Sequence, residues 1–347
     1  QYTCDHEEKP QPSNEPPAAP QDLQTVLDLV YALLIKFFRS FSIFHTLKVT
    51  MKRIASIDIV RGLAMIIMAL DHTRDLMHVK ALTEDPANLA TTTPALFFTR
   101  WITHFCAPAF VFLAGVSVWL SGSHRSRAAQ RKFLVTRGLW LVLLEFTVIT
   151  FGIWWDTRFS VFLQQVIAAI GFGFIVLGLA TGLNARVLGL AGLAILMFHG
   201  LSALVPVTQG SAMQAFMTIL FNQGLIPLGK DHFLLAGYAL VPWLGVILAG
   251  YGAGFIFQKE EGLRRAYFLR IGIAAIGLFV LLRALNLYGE PVPWTSQHNM
   301  TYTFMSFINL SKYPPSFLFC LVTLGGMFLL LWMAEGMQSR FAGFFNT

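Results

Sequence analysis

An apolar run in this chain, Arg53-Ile-Ala-Ser-Ile-Asp-Ile-Val-Arg-Gly-Leu-Ala-Met-Ile-Ile-Met-Ala-Leu-Asp-His72, carries Asp58 and Arg61 near one end and Asp71 and His72 at the other, with Asp75 one turn beyond. Ionisable groups are costly inside a bilayer, so their presence in such a run points to a function and not only to a span. At about 100° per residue with Arg61 as zero, His72 falls near 20°, Asp58 near 60° and Asp75 near −40°, and the helix is expected to turn this polar face to the interior of a bundle. A histidine beside a carboxylate has the composition of an oriented general base near neutral pH. The plainer alternative is an interfacial histidine at a helix end. Adjacent residues point about 100° apart, so Asp75 is expected to approach His72 better than Asp71 does.

Three further groups invite chemistry. Trp101-Ile-Thr-His-Phe-Cys-Ala-Pro108 sets His104 four residues before a proline that cannot donate to its carbonyl, so a bend is expected at the imidazole, for function or for packing. Glu145 stands about 12 Å along the axis from Arg137, too far for an easy pair, and needs a partner or a proton. Arg61 is the expected partner by depth, in an arrangement that serves equally well as bundle glue. Lys312-Tyr-Pro-Pro-Ser316 places Lys312 and Tyr313 before two prolines that fix a helix start. The pair suits an anionic or sugar substrate, or is a helix-start signal with a snorkelling lysine. Gln164, Gln165, His199 and Arg283 read as satisfied interior or interfacial groups. There is no nucleophile elbow, Walker motif or dinucleotide fingerprint, and Cys4, Cys106 and Cys320 form no metal-ligand spacing.

Composition sets what must position these groups. Hydrophobic residues make up 55% and charged residues 12%, with a mean hydropathy of +0.61, against about 25% charged in an ordinary soluble domain. The chain reads as an all-α polytopic transmembrane helix bundle in a lipid bilayer. Its formal charge of +7 collects between spans, where it reports orientation and not nucleic-acid binding. Eight stretches approach the roughly 20 residues a bilayer core requires: 54–76, 95–120, 133–153, 160–181, 186–206, 233–257, 267–287 and 315–334. Lys48, Lys52 and Arg53 precede the first, Arg125, Arg127, Arg131 and Lys132 follow the second, and Arg264 and Arg265 follow the sixth. These connections, and both ends of the eight-span unit, are expected on the cytoplasmic side of a plasma membrane. The outward loops then hold His78, Trp294, Asn309 and Lys312, and Ala212 to Leu220 is too short to cross. Residues 1–20 are proline-rich and expected to be disordered, and 23–44 suit an amphipathic surface helix. The membrane domain is expected over 51–347.

The order of several short motifs resembles a known family. Ser56-Ile-Asp-Ile-Val-Arg-Gly62 with Asp71-His72, Pro108-Ala-Phe-Val-Phe-Leu-Ala-Gly115, Arg137-Gly-Leu-Trp-Leu-Val-Leu-Leu-Glu145, Leu163-Gln-Gln-Val-Ile-Ala-Ala-Ile-Gly171, Pro242-Trp-Leu-Gly245 and Lys312-Tyr-Pro-Pro-Ser316 together cover about residues 52–340. They are similar to bacterial membrane proteins related to heparan-α-glucosaminide N-acetyltransferase, within the wider group of transmembrane acyltransferases. The resemblance implies that acetyl-CoA approaches from the cytosol and that its acetyl group passes through the bundle to the amine or hydroxyl of a sugar or glycan on the far side. No metal is expected, and a homo-oligomer is compatible.

On that reading Asp58, Arg61 and Glu145 belong to the donor's route. His72, with Asp71 and Asp75, is the base at its exit, and His104 donates to the carbonyl oxygen. His78, Trp294, Asn309, Lys312 and Tyr313 meet the acceptor. Two departures stand out. Eukaryotic members carry asparagine where Asp71 stands and a key histidine further along the next loop, close to His78 but not aligned with it. The chain also stops at Phe344-Phe-Asn-Thr347 where family members enter further spans, so a truncated bundle is expected. The residues alone leave a transporter or channel for protons or a small polar solute as the rival reading, and a non-catalytic sensor as a third.

Overall fold

The computed structural model describes residues 54–77, 85–122 and 125–345, with side chains described to residue 337. The expectations for residues 1–50 and for His78 lie outside the described residues. The chain runs through α1 (Ala55–Met77), α2 (Pro94–Thr103), α3 (Cys106–Gly122), α4 (Arg127–Leu144), a π turn (Glu145–Ile149), α5 (Thr150–Trp154), β1 (Val161–Gln164), α6 (Val166–Leu179) and α7 (Ala185–Phe198). A 3₁₀ turn (His199–Leu204) leads to α8 (Ala212–Phe221), β2 (Gly224–Pro227), β3 (Phe233–Ala236), α9 (Leu240–Phe257), α10 (Glu261–Leu285), α11 (Met300–Ile308) and α12 (Phe317–Phe345).

The fold is an all-α polytopic bundle. Six stretches of the described residues are long and apolar enough to cross a membrane: Pro94–Gly122, Arg127–Trp154, Ala185–Leu204, Leu240–Phe257, Glu261–Leu285 and Phe317–Met337. The other two expected spans differ from these. Helix α1 has the expected length of 23 residues but a more polar sequence. The stretch 160–181 gives four residues to β1 and leaves 14 in α6. β1 pairs parallel with β3, Val161 opposite Phe233, and β2 pairs antiparallel with β3, Ile226 opposite Leu234. Apolar runs of four residues carry no period that separates strand from helix, so β1 and β3 read as the beginnings of spans.

Helix α9 is the axis of the bundle. It packs on α3, α6 and α7, and its Trp243, Val246 and Ile247 are fully buried. Lipid tails are as apolar as leucine, so spans associate by close backbone approach at small residues. A Cβ on Gly115 would lie 2.1 Å from the Ile247 carbonyl oxygen, and one on Gly250 2.1 Å from that of Phe112. The α3–α9 contact therefore excludes any side chain at either position. Helix α4 pairs with α6, and α10 with α12, which also meets α1.

The packed face of α1 is not the one expected. Ser56, Ile57, Val60, Ala64 and Arg74 are buried, whereas His72 and Asp75 are exposed. In the same angular frame the buried set centres near about −90°, and Asp71, at about −80°, belongs to it. The Arg61–His72 stripe lies roughly a right angle away. Both faces of α1 carry apolar residues, and periodicity does not tell a lipid-facing stripe from a bundle-facing one.

Candidate active site

Asp71 is the hub of a polar cluster where α1, α2 and the segment before α12 meet. Arg74, nearly one turn on along the packed face, donates to Asp71 and, at 2.7 Å, to Asp75. From α2, Arg100 Nη1 lies 3.1 Å from Asp71 and Thr103 Oγ1 donates to it at 2.7 Å. Lys312 Nζ stands 3.9 Å away. A carboxylate ringed by three cations and a hydroxyl has its lone pairs committed and fixes the side chains around it. Asp75, expected beside His72, is taken by Arg74 instead, because the rotation of α1 turns Arg74 inward and leaves His72 exposed.

The bend expected before Pro108 is present. Helix α2 ends at Thr103 and α3 begins at Cys106. Between them the chain tightens into shorter turns, His104 N–H to Trp101 O at 3.1 Å and Phe105 N–H to Ile102 O at 3.5 Å. Pro108 has no N–H for the His104 carbonyl. The buried imidazole rests 5.4 Å from the Phe319 ring, centre to centre.

The opposite wall comes from the loop between α10 and α12. Arg283, 2% exposed, donates to the backbone carbonyls of Phe307, Val292, Ser306 and Asn309 at 2.8–3.1 Å. One guanidinium thus satisfies carbonyls at the end of α11 and in the irregular chain on either side of it. Trp294 Nε1 donates to Arg283 O at 2.9 Å, and Asn309 Nδ2 to Ala87 O at 2.9 Å. Glu290 accepts from Ser311 Oγ and Ser316 Oγ, both at 2.5 Å, clamping the Lys312–Pro315 turn. Lys312 is 7% exposed, so it does not snorkel. Its Nζ lies 5.1 Å from the centre of the Tyr313 ring, which meets Tyr238 edge-on at 5.4 Å. Burial alone would push the Tyr313 phenol up, but Lys312 and Arg100 beside it, with hydrogen bonds from Tyr238 and Lys312, hold it below the ordinary tyrosine value. Burial and the neighbouring Tyr313 push Tyr238 well up.

These elements enclose a cavity of about 450 Å³ whose wall includes Arg100, His104, Glu290, Asn309, Lys312 and Tyr313. His72 and Trp294 are not in that wall. No group of His, Cys, Asp or Glu among the described residues is arranged to hold a metal ion.

Asp58, Arg61 and Glu145 do not form one site. Arg61 Nη2 donates to Leu113 O at 3.0 Å and to Ser117 Oγ at 2.7 Å, with Asp58 near enough to act on it electrostatically. Glu145, fully buried, accepts the Ala168 N–H at 2.8 Å in the first turn of α6. The pair expected between Arg61 and Glu145 is therefore replaced by a helix cap. The first N–H groups of a helix have no partner within it and carry the positive end of its dipole, so a carboxylate is favoured there without an arginine, while its other oxygen, Oε1, is buried with no hydrogen-bond partner among the described residues. Sequence reasoning passed over Glu335, which accepts from Ser56 Oγ at 2.6 Å and from Arg264 Nε and Nη2 at 2.8 and 2.6 Å. A glutamate within an otherwise apolar span was the available signal.

The family model described as heparan-alpha-glucosaminide N-acetyltransferase, catalytic, matches residues 53–285 and so ends before the loop that supplies Lys312 and Tyr313. Comparison with curated proteins returns no match.

Proposed function

The chain belongs to the heparan-alpha-glucosaminide N-acetyltransferase catalytic family, and from that premise we propose that it transfers acetyl from cytosolic acetyl-CoA to the amine or hydroxyl of an extracytoplasmic sugar or glycan. The observation that carries the reading is the cavity. At about 450 Å³ it lies within the range of about 300–1,000 Å³ typical of small-molecule sites. Its donors are held by a buried scaffold. Acetyl-CoA, when bound, supplies an activated thioester carbonyl. His104, Lys312 and Arg100 are suited to the negative charge that grows on the carbonyl oxygen, because preorganised donors in a desolvated site need no rearrangement during the reaction. Asp71 positions Arg100 and Lys312, and Asn309 and Tyr313 meet the acceptor. Toward the far end of α1, Asp58 and Arg61 flank the proposed entry of the donor, with both ends of the membrane unit cytoplasmic in a plasma membrane. His72, the base expected from the sequence, is exposed and outside the cavity wall.

Purified protein incubated with labelled acetyl-CoA and a panel of amino sugars and glycans should acetylate at least one of them. No transfer, together with no binding of acetyl-CoA, overturns the reading. A carrier would instead move a solute into proteoliposomes and leave no acetylated product.

A further inference from the structure

The Tyr313 phenol has surroundings that none of the roles above uses. Its backbone is fixed by the Glu290 clamp on Ser311 and Ser316 and by the two prolines that follow it. One side of its ring is closed by Tyr238, itself 4.9 Å from the ring of the fully buried Trp243. The hydroxyl is met by Tyr238, Lys312 and Arg100, and the residue forms part of the cavity wall.

Charge balance around it is uneven. Arg74, Arg100 and Lys312 surround one inward carboxylate, Asp71, while the second carboxylate, Asp75, has a side chain 52% exposed. Of the neighbouring groups, Lys312 precedes Tyr313 on its own segment, Glu290 holds Ser311 and Ser316 on either side of it, Arg283 of α10 lines the same cavity, Arg100 and His104 come from α2 and its break, Asp71 comes from α1, and Tyr238 precedes α9. The desolvated cations favour the charged form of an acid beside them.

We propose that Tyr313 is a catalytic residue, the base that in its ionised form takes the acceptor's proton, and that Tyr238, Lys312 and Arg100 are positioning residues that hydrogen-bond its oxygen. The inference rests on the acetyltransferase reading. In the step, the acceptor's nitrogen or oxygen bonds to the thioester carbonyl carbon and its proton moves to Tyr313 Oη. The carbon–sulfur bond breaks and CoA leaves as the thiolate. The phenol proton then passes to the thiolate or to solvent, which restores the phenolate.

Tyr313→Phe keeps the ring on Tyr238 and removes only the oxygen. In the full chain, kcat should fall about 10²–10⁴-fold, the usual contribution of a general base, with KM for acetyl-CoA unchanged. Tyr238→Phe leaves Tyr313 in place but removes a donor to it, so the acid limb of the pH–rate profile should move to higher pH. Unchanged kcat in Tyr313→Phe, or an unmoved limb in Tyr238→Phe, overturns the proposal even if the other variant fails to fold. Ultraviolet titration reads the phenol without any turnover. One tyrosine should ionise below the ordinary value of about 10 in the wild type and be missing from Tyr313→Phe. The same early ionisation in both proteins refutes the assignment. If the wild type neither binds acetyl-CoA nor acetylates any of the panel, the acetyltransferase reading falls, while the titration still decides whether Tyr313 ionises early. If both proteins transfer equally, the reading stands and the base lies elsewhere.

Discussion

Glu145 finds its partner in the Ala168 N–H, and Arg61 finds its partners in Leu113 O and Ser117 Oγ. Each charge meets its hydrogen-bond partners on the helix packed against it. Removing the carboxylate leaves the first turn of α6 with an unpaired donor, so Glu145→Ala should lower stability by about 1–2 kcal/mol, the range for losing a helix cap. Arg61→Ala should act independently, and the double variant should be additive within about 0.5 kcal/mol. Equilibrium unfolding of the four proteins in detergent checks this, and a larger coupling energy would restore the ion pair. Asp71 and His72 illustrate the same scale. They are adjacent in sequence, yet the rotation of α1 sends the first into a ring of cations and leaves the second exposed.

The break between α2 and α3 is an element set by one residue. Pro108 removes a donor, the turn at His104 and Phe105 tightens, and the imidazole meets the cavity. Pro108→Ala restores the donor and favours a continuous helix, since proline costs about 3 kcal/mol relative to alanine in a helix interior. The unfolding midpoint should hold or rise while acetyl transfer falls about 10²-fold, the effect of displacing a catalytic group by roughly 1 Å. An unchanged rate would remove the bend from the mechanism. This bend was legible in the sequence because a proline acts on the carbonyl four residues before it. The sheet was not legible, because each strand is only four residues long and β1 lies about seventy residues from its partner β3.

Across the whole molecule, Glu335 ties α12 to α10 through Arg264 and to α1 through Ser56, a residue 279 positions away. Glu335 is 1% exposed, so Glu335→Ala leaves Arg264 without its carboxylate in a nearly dry site. Breaking a buried pair costs about 3–5 kcal/mol, and the unfolding midpoint should drop accordingly. A loss within the error of the measurement would make the tie incidental.

Membrane class, most of the spans, the bend at His104 and the motifs by which the family is recognised were all legible in the residues alone. Each of these depends on local composition or on residues a few positions apart, where hydropathy and backbone chemistry act directly. Only the tertiary structure decided which face of α1 turns inward, that Arg61 and Glu145 part company, and that Arg100, His104, Lys312 and Tyr313 share one cavity. The reason is physical. In a membrane protein the lipid-facing and bundle-facing surfaces are both apolar, so the contrast that orients a helix in water is missing, and the rotation of each span is fixed by contacts with residues on other helices, as far away as Glu335 from Ser56.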